Sequence, residues 1–361
     1  MTVQFSLPFV VLVALAYTGS AAAQDVVEFP TPAEYAEAAA EAEAAPLFQS
    51  EEPIKITLLT DIKWLRDRRI DTMEVDGTVT FRDLDGSMTE STVEVRTRGN
   101  FRRDKQNCNF PPIRLDFPKS EMEGTVFEGQ DKLKLVSPCH DSRDDFQRYI
   151  YKEYLVYKLQ ALISPISFRV RLVEITFVDI NDDYDSRTKI GFLIEDEERM
   201  AERNSALVQD LEQMHPALLD GEGAVVASMF NYMIGNTDSS PVFFHNAKLI
   251  LTQDSRYLPV PYDFDFSGAV DTRYATPAPS LSIRRVTDRL YRGFCRPELQ
   301  YEPMRALFDG QRQAVWNLYE GSTLLDEDHK EDVIEFFEDF YEVMDDPQKF
   351  DREIMQACRN W

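Results

Sequence analysis

Short runs of alternating apolar and polar residues, separated by turns, follow residue 53 and constrain the fold more than any other feature of the sequence. In the first run Ile54, Ile56 and Leu58 share one face, and an Asp85-Gly86 turn joins two later runs. Because strand side chains alternate between the two faces of a sheet, these runs predict half-buried β-strands. The further strands predicted here are 74–82, 89–98, 112–117 and 132–136.

After these strands the pattern becomes helical over 141–162, with Asp141 as the candidate N-cap. The apolar stripe of this helix comprises Phe146, Ile150, Tyr154 and Tyr157. Further strands are predicted at 169–178, 189–194, 244–251 and 257–260, and further helices at 201–213, 223–234 and 326–346. At about one domain per 150 residues the length suggests two units. The change from strands to helices places them at 51–195 and 196–361.

The N-terminal segment carries the signals of export. An apolar run at 5–16 is followed by Ala21-Ala22-Ala23, which predicts a secretory signal peptide over 1–23. The run is shorter than the roughly 20 residues of a membrane-spanning helix. An uncleaved anchor is therefore less favoured, and the mature chain is expected to have no transmembrane segment. Residues 24–50 are interpreted as an Ala/Glu-rich linker outside the core. We therefore expect a secreted or periplasmic protein.

Net charge and cysteine content narrow the class of protein further. The chain has 39 basic and 64 acidic residues, and its formal charge of −25 argues against a nucleic-acid partner. Four cysteines in an exported chain predict two disulfides, for which three pairings are possible. We favour Cys108 with Cys139 and Cys295 with Cys358. The alternative is a zinc site, but no CxxC or HxxxH spacing supports it.

The densest polar segment combines a loop carboxylate, Asp238, with the amide of Asn246 and with Asp263 and Asp265 at a predicted strand end. Phosphoryl transfer requires such a set. One carboxylate orients the attacking hydroxyl, while an amide and a second carboxylate hold a divalent ion against nucleotide phosphates. Asp263 and Asp265 are two positions apart, so on an extended strand both would face one side. The alternative is that Asn236 and Asp238 only cap a turn.

Nucleotide phosphates also require positive charge, and two motifs in this acidic chain offer it. Lys132 and Lys134 share one face of a predicted strand, and Glu153 in the following helix is the candidate ionic partner. Arg98 lies in an arginine-rich turn with Gly99, where guanidinium and backbone N–H groups can surround an anion. The alternative for the first motif is that both lysines are simply exposed on the strand. The alternative for the second is that the arginines form salt bridges within a hairpin.

In their order along the chain, these motifs resemble the CotH family of atypical, spore-coat-type protein kinases. The resemblance covers residues 96–268. Its motifs are Arg98-Gly99-Asn100, Lys132-Leu133-Lys134-Leu135, Gly191-Phe192-Leu193-Ile194-Glu195, Asn236-Thr237-Asp238, Asn246 and Tyr262-Asp263-Phe264-Asp265. The resemblance implies an α+β, two-lobed atypical protein-kinase-like fold, with a β-rich N-lobe and a mostly helical C-lobe.

The resemblance also implies a kinase that uses ATP with Mg²⁺ or Mn²⁺ to phosphorylate Ser or Thr of secreted or cell-surface proteins. On this analogy Asp238 is the catalytic carboxylate and the backbone near Glu195 meets the adenine. The implied metal ligands are Asn246, Asp263 and, as a second contact, Asp265. The sequence departs from familiar protein kinases because seven residues separate Asp238 from Asn246 instead of four. Asn236 is therefore the substitute for Asn246 as a metal ligand.

Two other classes of function are compatible with the same residues, and the first is a different enzyme. A nucleotide bound in the reverse orientation would make the protein an AMP transferase, and a related enzyme would be a metal-dependent phosphoesterase. The second alternative is a non-catalytic exported module for binding or surface assembly. Four arginines after residue 268 would either attract an acidic substrate or neutralise the acidic C-terminal helix; they are Arg284, Arg285, Arg289 and Arg292.

Overall fold

The computed structural model describes residues 29–361, and the predicted signal peptide, 1–23, lies outside the described residues. Within the described part, the chain forms a closed β-barrel, a separate three-stranded sheet and a set of helices. The strands are β1 (Ile54–Thr60), β2 (Val75–Arg82), β3 (Met88–Thr97), β4 (Ile113–Asp116), β5 (Lys132–Val136), β6 (Val170–Asp179), β7 (Arg187–Ile194), β8 (Ala206–Gln209), β9 (Ala247–Thr252) and β10 (Tyr257–Pro261).

The barrel contains the first seven strands in the order β1-β2-β3-β4-β5-β7-β6. Neighbouring strands pair antiparallel except at the closure, where β6 runs parallel to β1 from Ile54↔Val173 to Thr60↔Asp179. The interior is filled by apolar side chains, because every second residue of each strand points inward. Its fully buried members include Leu58, Val79, Val95, Leu115, Leu133, Val173 and Leu193.

The predicted two-lobed, atypical protein-kinase-like fold is wrong, because the strands close into a barrel instead of forming the sheet of an N-lobe. The closure depends on the pairing of β1 with β6, which are far apart in the sequence. The alternation of apolar residues defines the inward face of each strand but not its partner. The division of the chain at residue 195 stays a prediction, although the barrel strands do end at Ile194.

The helices lie mostly in the second half of the chain. They are α1 (Pro32–Ala44), α2 (Ile62–Arg68), α3 (Gln147–Ile163), α4 (Glu197–Arg203), α5 (Gly221–Met233), α6 (Glu302–Gly310), α7 (Arg312–Glu320), α8 (Glu327–Asp345) and α9 (Pro347–Phe350). Helix α3 joins the barrel to the rest of the protein. The ring of Tyr157 lies 5.6 Å from Phe192 of β7 and 4.7 Å from Phe264, which follows β10.

The predicted strands and most predicted helices are confirmed, but three local predictions are wrong. Asp141 does not cap α3; it is buried and accepts a hydrogen bond of 2.8 Å from the amide of Asn109. The helix predicted at 201–213 ends at Arg203, because the next residues pair with β9 as strand β8. Asp263 and Asp265 were predicted at the end of a strand, but that strand ends at Pro261 and both residues lie in the loop that follows.

The segment predicted to be a linker outside the core is instead part of the fold. Helix α1 begins with the predicted N-cap Thr31, whose hydroxyl accepts the Glu34 N–H at 3.3 Å. Tyr35 is buried, and α1 packs against α4. Leu47 is fully buried in the barrel core, and its carbonyl accepts a hydrogen bond from Arg171 at 2.8 Å. Residues 32–44 therefore pack against α4, and residues 46–48 are fixed to the barrel through Leu47.

Both favoured disulfides are confirmed. Cys108 bonds to Cys139 and Cys295 bonds to Cys358, and the described residues contain no free cysteine. The first bridge joins the segments before β4 and after β5, and the second fixes the C-terminal segment to the chain that precedes α6. Two disulfides fit an exported protein. Among residues 29–361, no helix is long and apolar enough to cross a bilayer.

Candidate functional site

A cavity of about 490 Å³, which we call the cleft, opens where the loop after β3 faces the loops around β9 and β10. It is lined from one side by residues 98–102 and Lys134, and from the other by Asp238 and residues 244–246, 262–263 and 265–266. Six residues predicted from the sequence line it together. They are Arg98, Lys134, Asp238, Asn246, Asp263 and Asp265.

Asp238 lies in the loop that follows α5, and its position is fixed by neighbouring amides. Gly235 permits the turn after the helix, with φ of 65°. The side-chain oxygen of Asn236 accepts the Asp238 N–H at 3.0 Å, and the side-chain N–H of Asn246 donates to Asp238 Oδ2 at 2.9 Å. His245 Nε2 lies 3.4 Å from Asp238 Oδ1. The carboxylate is therefore oriented from two sides, and its side chain remains 40% exposed to the cleft.

The loop after β10 carries the other two predicted carboxylates. Asp263 has φ of 63°, and its backbone N–H donates to the hydroxyl of Tyr157 at 2.9 Å. The next residue, Phe264, is fully buried and anchors the loop in the core. Asp265 Oδ2 accepts a hydrogen bond of 2.9 Å from Tyr274. Asp263 is half-buried and Asp265 is buried, and both residues line the cleft.

A buried charge network lies directly behind these carboxylates. Glu153 of α3 is 2% exposed, and its Oε1 has no hydrogen-bond partner. Burial, together with the charges of Asp265 and Asp263, holds the pKa of Glu153 well above its usual range. Burial and the charge of Asp263 raise the pKa of Asp265 to about 7. The guanidinium of Arg102 lowers both pKa values, and that of Arg98 also lowers the pKa of Glu153.

The positive side of the cleft is formed by Lys134 and Arg98. Lys134 Nζ donates to Glu197 at 2.9 Å and lies 5.1 Å from the centre of the Tyr262 ring. The predicted pairing of Lys134 with Glu153 is therefore wrong, because Glu197 at the start of α4 takes its place. Among residues 29–361, the side chain of Arg98 has no ion pair or hydrogen bond, and its Nε is buried without a partner.

Two other predicted nucleotide-binding residues do not line the cleft. Lys132 is exposed on β5, outside the cavity. Glu195 is 2% exposed, and Arg203 donates to both of its carboxylate oxygens at 2.9 and 3.0 Å. The backbone N–H of Glu195 donates to the Arg169 carbonyl at 2.9 Å. The hydrogen bonds of Glu195 therefore stabilise the end of the barrel, and neither its side chain nor its N–H faces the cavity.

The fit of the cleft to a divalent cation rests on its buried carboxyl groups. The unpartnered Oε1 of Glu153 and the raised pKa of Asp265 indicate negative charge that Arg102 alone does not neutralise. Mg²⁺ is commonly held by one or two carboxylates together with substrate phosphates, without a complete protein cage. Asp263 and Asp265 meet that requirement, and the amide oxygen of Asn246 is a third candidate ligand.

A second acidic cluster lies elsewhere on the barrel. Among the described residues, the one group of three acidic side chains whose oxygens all lie within 4.8 Å comprises Glu74, Glu94 and Asp116. Arg114 lies 2.8 Å from Glu74 and 3.1 Å from Asp116. This arginine neutralises part of the cluster, which does not line the cleft.

Sequence reasoning missed several residues that shape the cleft. Arg102 lies in the arginine-rich turn already noted, and Tyr157 belongs to the apolar stripe of α3. His245 precedes the predicted ligand Asn246. Glu197 and Tyr274 had no signal of their own, because their roles depend on contacts between segments distant in the sequence.

In comparisons with known proteins, no family model, curated protein or solved structure matches the chain. The fold and the cleft define an acidic, disulfide-bonded barrel protein that brings three carboxylates, the paired Lys134 and the unpaired Arg98 together in one cavity.

Proposed function

We propose that the protein is a metal-dependent phosphotransferase that moves the γ-phosphate of ATP to Ser or Thr hydroxyls of exported proteins. One observation carries this proposal. Residues from four separate segments, predicted from the sequence to serve phosphoryl transfer, line a single cavity of about 490 Å³. A cavity of this volume falls within the range of small-molecule sites.

The phosphates are assigned to the positive side of the cleft. Arg98 has a guanidinium without a described ionic partner, and it lines the cavity beside the Gly99 turn. An unpaired guanidinium suits phosphate because it donates two parallel hydrogen bonds. Glu197 holds Lys134 at 2.9 Å and fixes the direction of its ammonium. These two cations would bind the phosphate oxygens from one wall of the cleft.

The cation is assigned to Asp263 and Asp265, with Asn246 as a third candidate ligand. A bound Mg²⁺ or Mn²⁺ would neutralise charge that develops on the phosphate oxygens. The chain itself positions these ligands. Tyr157 holds the backbone of Asp263, Tyr274 holds one oxygen of Asp265, and Asp238 receives the amide N–H of Asn246.

Asp238 is assigned to the acceptor hydroxyl. The Ser or Thr oxygen attacks the γ-phosphorus while the bond to the β–γ bridging oxygen breaks, and ADP leaves with that electron pair. The hydroxyl proton passes to the Asp238 carboxylate. The Asn246 and His245 contacts keep the carboxylate aimed at the attacking oxygen, and orientation of this kind is the main contribution that a protein makes to phosphoryl transfer.

The acceptor class is proposed from the exported character of the chain. Its two disulfides fit an oxidising compartment, and we propose secretion or a periplasmic location through the predicted signal peptide. Ser or Thr of secreted or cell-surface proteins would then be the hydroxyls that the cleft meets. The resemblance of its motifs to the CotH family supports the same acceptor class.

Isotope labelling tests the proposed function. Purified protein is incubated with ATP labelled on either the α- or the γ-phosphate, with Mg²⁺, Mn²⁺ or a chelator. We expect label from γ alone, and only with the metal. Asp238→Ala and Asp263→Ala should each lower transfer by about a hundredfold or more, which corresponds to ~3 kcal/mol of lost transition-state stabilisation. Asp254→Ala is the matched control, because Asp254 is exposed on the β9–β10 turn and contacts Arg256.

Three outcomes contradict the proposal. Transfer of the α-label identifies an AMP transferase. Failure to bind nucleotide or transfer label in the presence of either metal supports the non-catalytic module. Full activity of a folded Asp238→Ala or Asp263→Ala protein removes those residues from the site.

A further inference from the structure

Arg292 and Arg359 are two half-buried arginines without an ionic partner. Among residues 29–361, neither side chain has an ion pair or a hydrogen bond, and the Nε atoms of both are buried and unpartnered. Two other arginines on the segment of Arg292 do have partners. Arg285 pairs with Asp288 at 3.2 Å, and Arg289 donates to the carbonyl oxygens of Met233 and α8. In a chain with a net charge of −25, unpaired guanidinium groups require an explanation.

The second disulfide brings the two arginines together. Cys295 bonds to Cys358, and the Arg359 N–H donates to the Gly293 carbonyl at 2.9 Å. The Cys295 N–H donates a hydrogen bond of 2.9 Å to the Arg359 carbonyl. This short parallel pairing aligns the two segments, and the guanidinium of Arg359 lies 4.3 Å from the centre of the Phe294 ring. Burial lowers the pKa of Arg359, and the charge of Arg292 lowers it further.

The same segment lies against the loop that carries the catalytic carboxylate. Phe294 packs in one apolar cluster with Val242 and Phe244, and Phe244 lines the cleft. Burial lowers the pKa of Arg292, while the carboxylate of Asp238 raises it. The guanidinium of Arg292 therefore lies beside the Asp238 loop and that of Arg359 lies over the neighbouring Phe294, and neither arginine lines the cleft.

The chemistry of this position favours an anionic ligand. Two like charges that are partly removed from water destabilise each other unless a counter-charge is supplied. A carboxylate supplies that charge and accepts the parallel N–H groups of a guanidinium. Phe243, in the loop that carries Asp238, exposes 66% of its surface and offers an apolar contact to an extended peptide.

We propose that Arg292 and Arg359 form an acceptor subsite that binds a carboxylate-rich segment of the polypeptide substrate, next to the hydroxyl that Asp238 orients. This inference rests on the proposed function and adds the substrate class: acidic segments that contain Ser or Thr. The charge of the pair is complementary to such a segment, whereas the rest of this acidic protein repels it.

Peptide binding without nucleotide tests the subsite. A fluorescent peptide with one serine among aspartates is titrated and compared with the same peptide carrying asparagines. We expect the acidic peptide to bind about tenfold more tightly, as expected for charge-assisted hydrogen bonds. R292Q and R359Q should each remove most of that preference, and R292K and R359K should keep part of it. R285Q is the matched control, because Arg285 lies on the same segment but is 77% exposed and already paired.

Equal binding of the two peptides by the wild-type protein overturns the inference, as does an equal loss in R285Q. Formation of the Cys295–Cys358 bond and an unchanged circular dichroism spectrum verify that each variant is folded. Different results would contradict the proposed function. They are the absence of γ-label transfer and unchanged nucleotide binding by R98Q, and neither depends on the peptide titration. R98Q should weaken nucleotide binding without removing the preference for the acidic peptide.

Discussion

The hydroxyl of Tyr157 accepts a hydrogen bond of 2.9 Å from the backbone N–H of Asp263, and so joins helix α3 to the loop after β10. Asp263 has φ of 63°, a left-handed conformation that costs a residue other than glycine roughly 1–3 kcal/mol. The Tyr157 hydroxyl and the buried ring of Phe264 together hold the backbone in this conformation. Tyr157 is thus a positioning residue for the proposed metal ligand.

Tyr157→Phe removes this hydrogen bond and leaves the Asp263 N–H without its partner. We expect phosphate transfer to fall by about tenfold through kcat, with little change in the KM for ATP, because a lost hydrogen bond costs about 1 kcal/mol and the ligand is displaced. The apparent affinity for Mn²⁺ should fall in parallel. Tyr154→Phe is the matched control, since its hydroxyl lies 3.1 Å from Glu51 and away from the cleft. Equal activity of the two variants would contradict the positioning role.

Glu197 determines where Lys134 points. Its two carboxylate oxygens accept hydrogen bonds of 2.9 Å from Lys134 and Lys248. Burial acts to raise the pKa of Glu197, but the two lysines outweigh it and lower the pKa from 4.5 to about 2. A group whose pKa is lower in the folded than in the unfolded state stabilises the folded state at pH values above its unfolded pKa. The stabilisation is therefore complete above pH 4.5 and is lost as the pH falls towards about 2.

Glu197→Gln should accordingly lower the free energy of unfolding at pH 7 by about 1–2 kcal/mol, a value reduced by solvent screening at this partly exposed site. The difference from the wild-type protein should shrink as the pH falls below 4.5. Urea unfolding at several pH values measures it. The exposed neighbour Glu198 provides the control variant Glu198→Gln. A difference that grows on acidification would mean that the lysines do not stabilise this carboxylate.

The sequence predicted the strands and the cleft better than it predicted the way the elements join. Alternation located the barrel strands because each strand has one inward face. It did not specify the pairing of β1 with β6, since the inward face of a strand is the same for any partner. The Asp238 and Asp263 motifs were recognised as parts of the densest polar segment, a signal that does not depend on how the strands pair. The partner of Lys134 was mistaken for Glu153 because a fold-level analogy, and not a contact, had suggested it.

Asp265→Asn separates the stability of the metal-free protein from its affinity for metal. Asp265 is 6% exposed, and burial and the charge of Asp263 oppose its ionisation. An amide of the same shape removes that repulsion, so the metal-free variant should melt about 1–2 °C higher, for about 1 kcal/mol of stabilisation. The increase in melting temperature that Mn²⁺ gives the wild-type protein should disappear.

Glu94→Gln is the control for this experiment, because Glu94 belongs to the acidic cluster with Glu74 and Asp116 outside the cleft. We expect this variant to keep the stabilisation by Mn²⁺. If Glu94→Gln removes the effect and Asp265→Asn does not, the cation binds on the barrel surface, and the assignment to the cleft is incorrect.

The Cys295–Cys358 bond should stabilise both the fold and the arrangement of Arg359 beside Phe294. It closes a loop of 63 residues, and removal of such a crosslink costs roughly 2–4 kcal/mol. The double variant Cys295→Ser, Cys358→Ser should therefore unfold at lower urea concentration. It should also bind the acidic peptide more weakly, because the C-terminal segment is then attached to residues 293–296 only by non-covalent contacts, namely two backbone hydrogen bonds and the ring contacts of Arg359 and Trp361. Cys108→Ser, Cys139→Ser removes a bridge on the barrel side and should lower stability without selective loss of peptide binding. Identical peptide affinities in the two double variants would show that the disulfide does not organise the acceptor subsite.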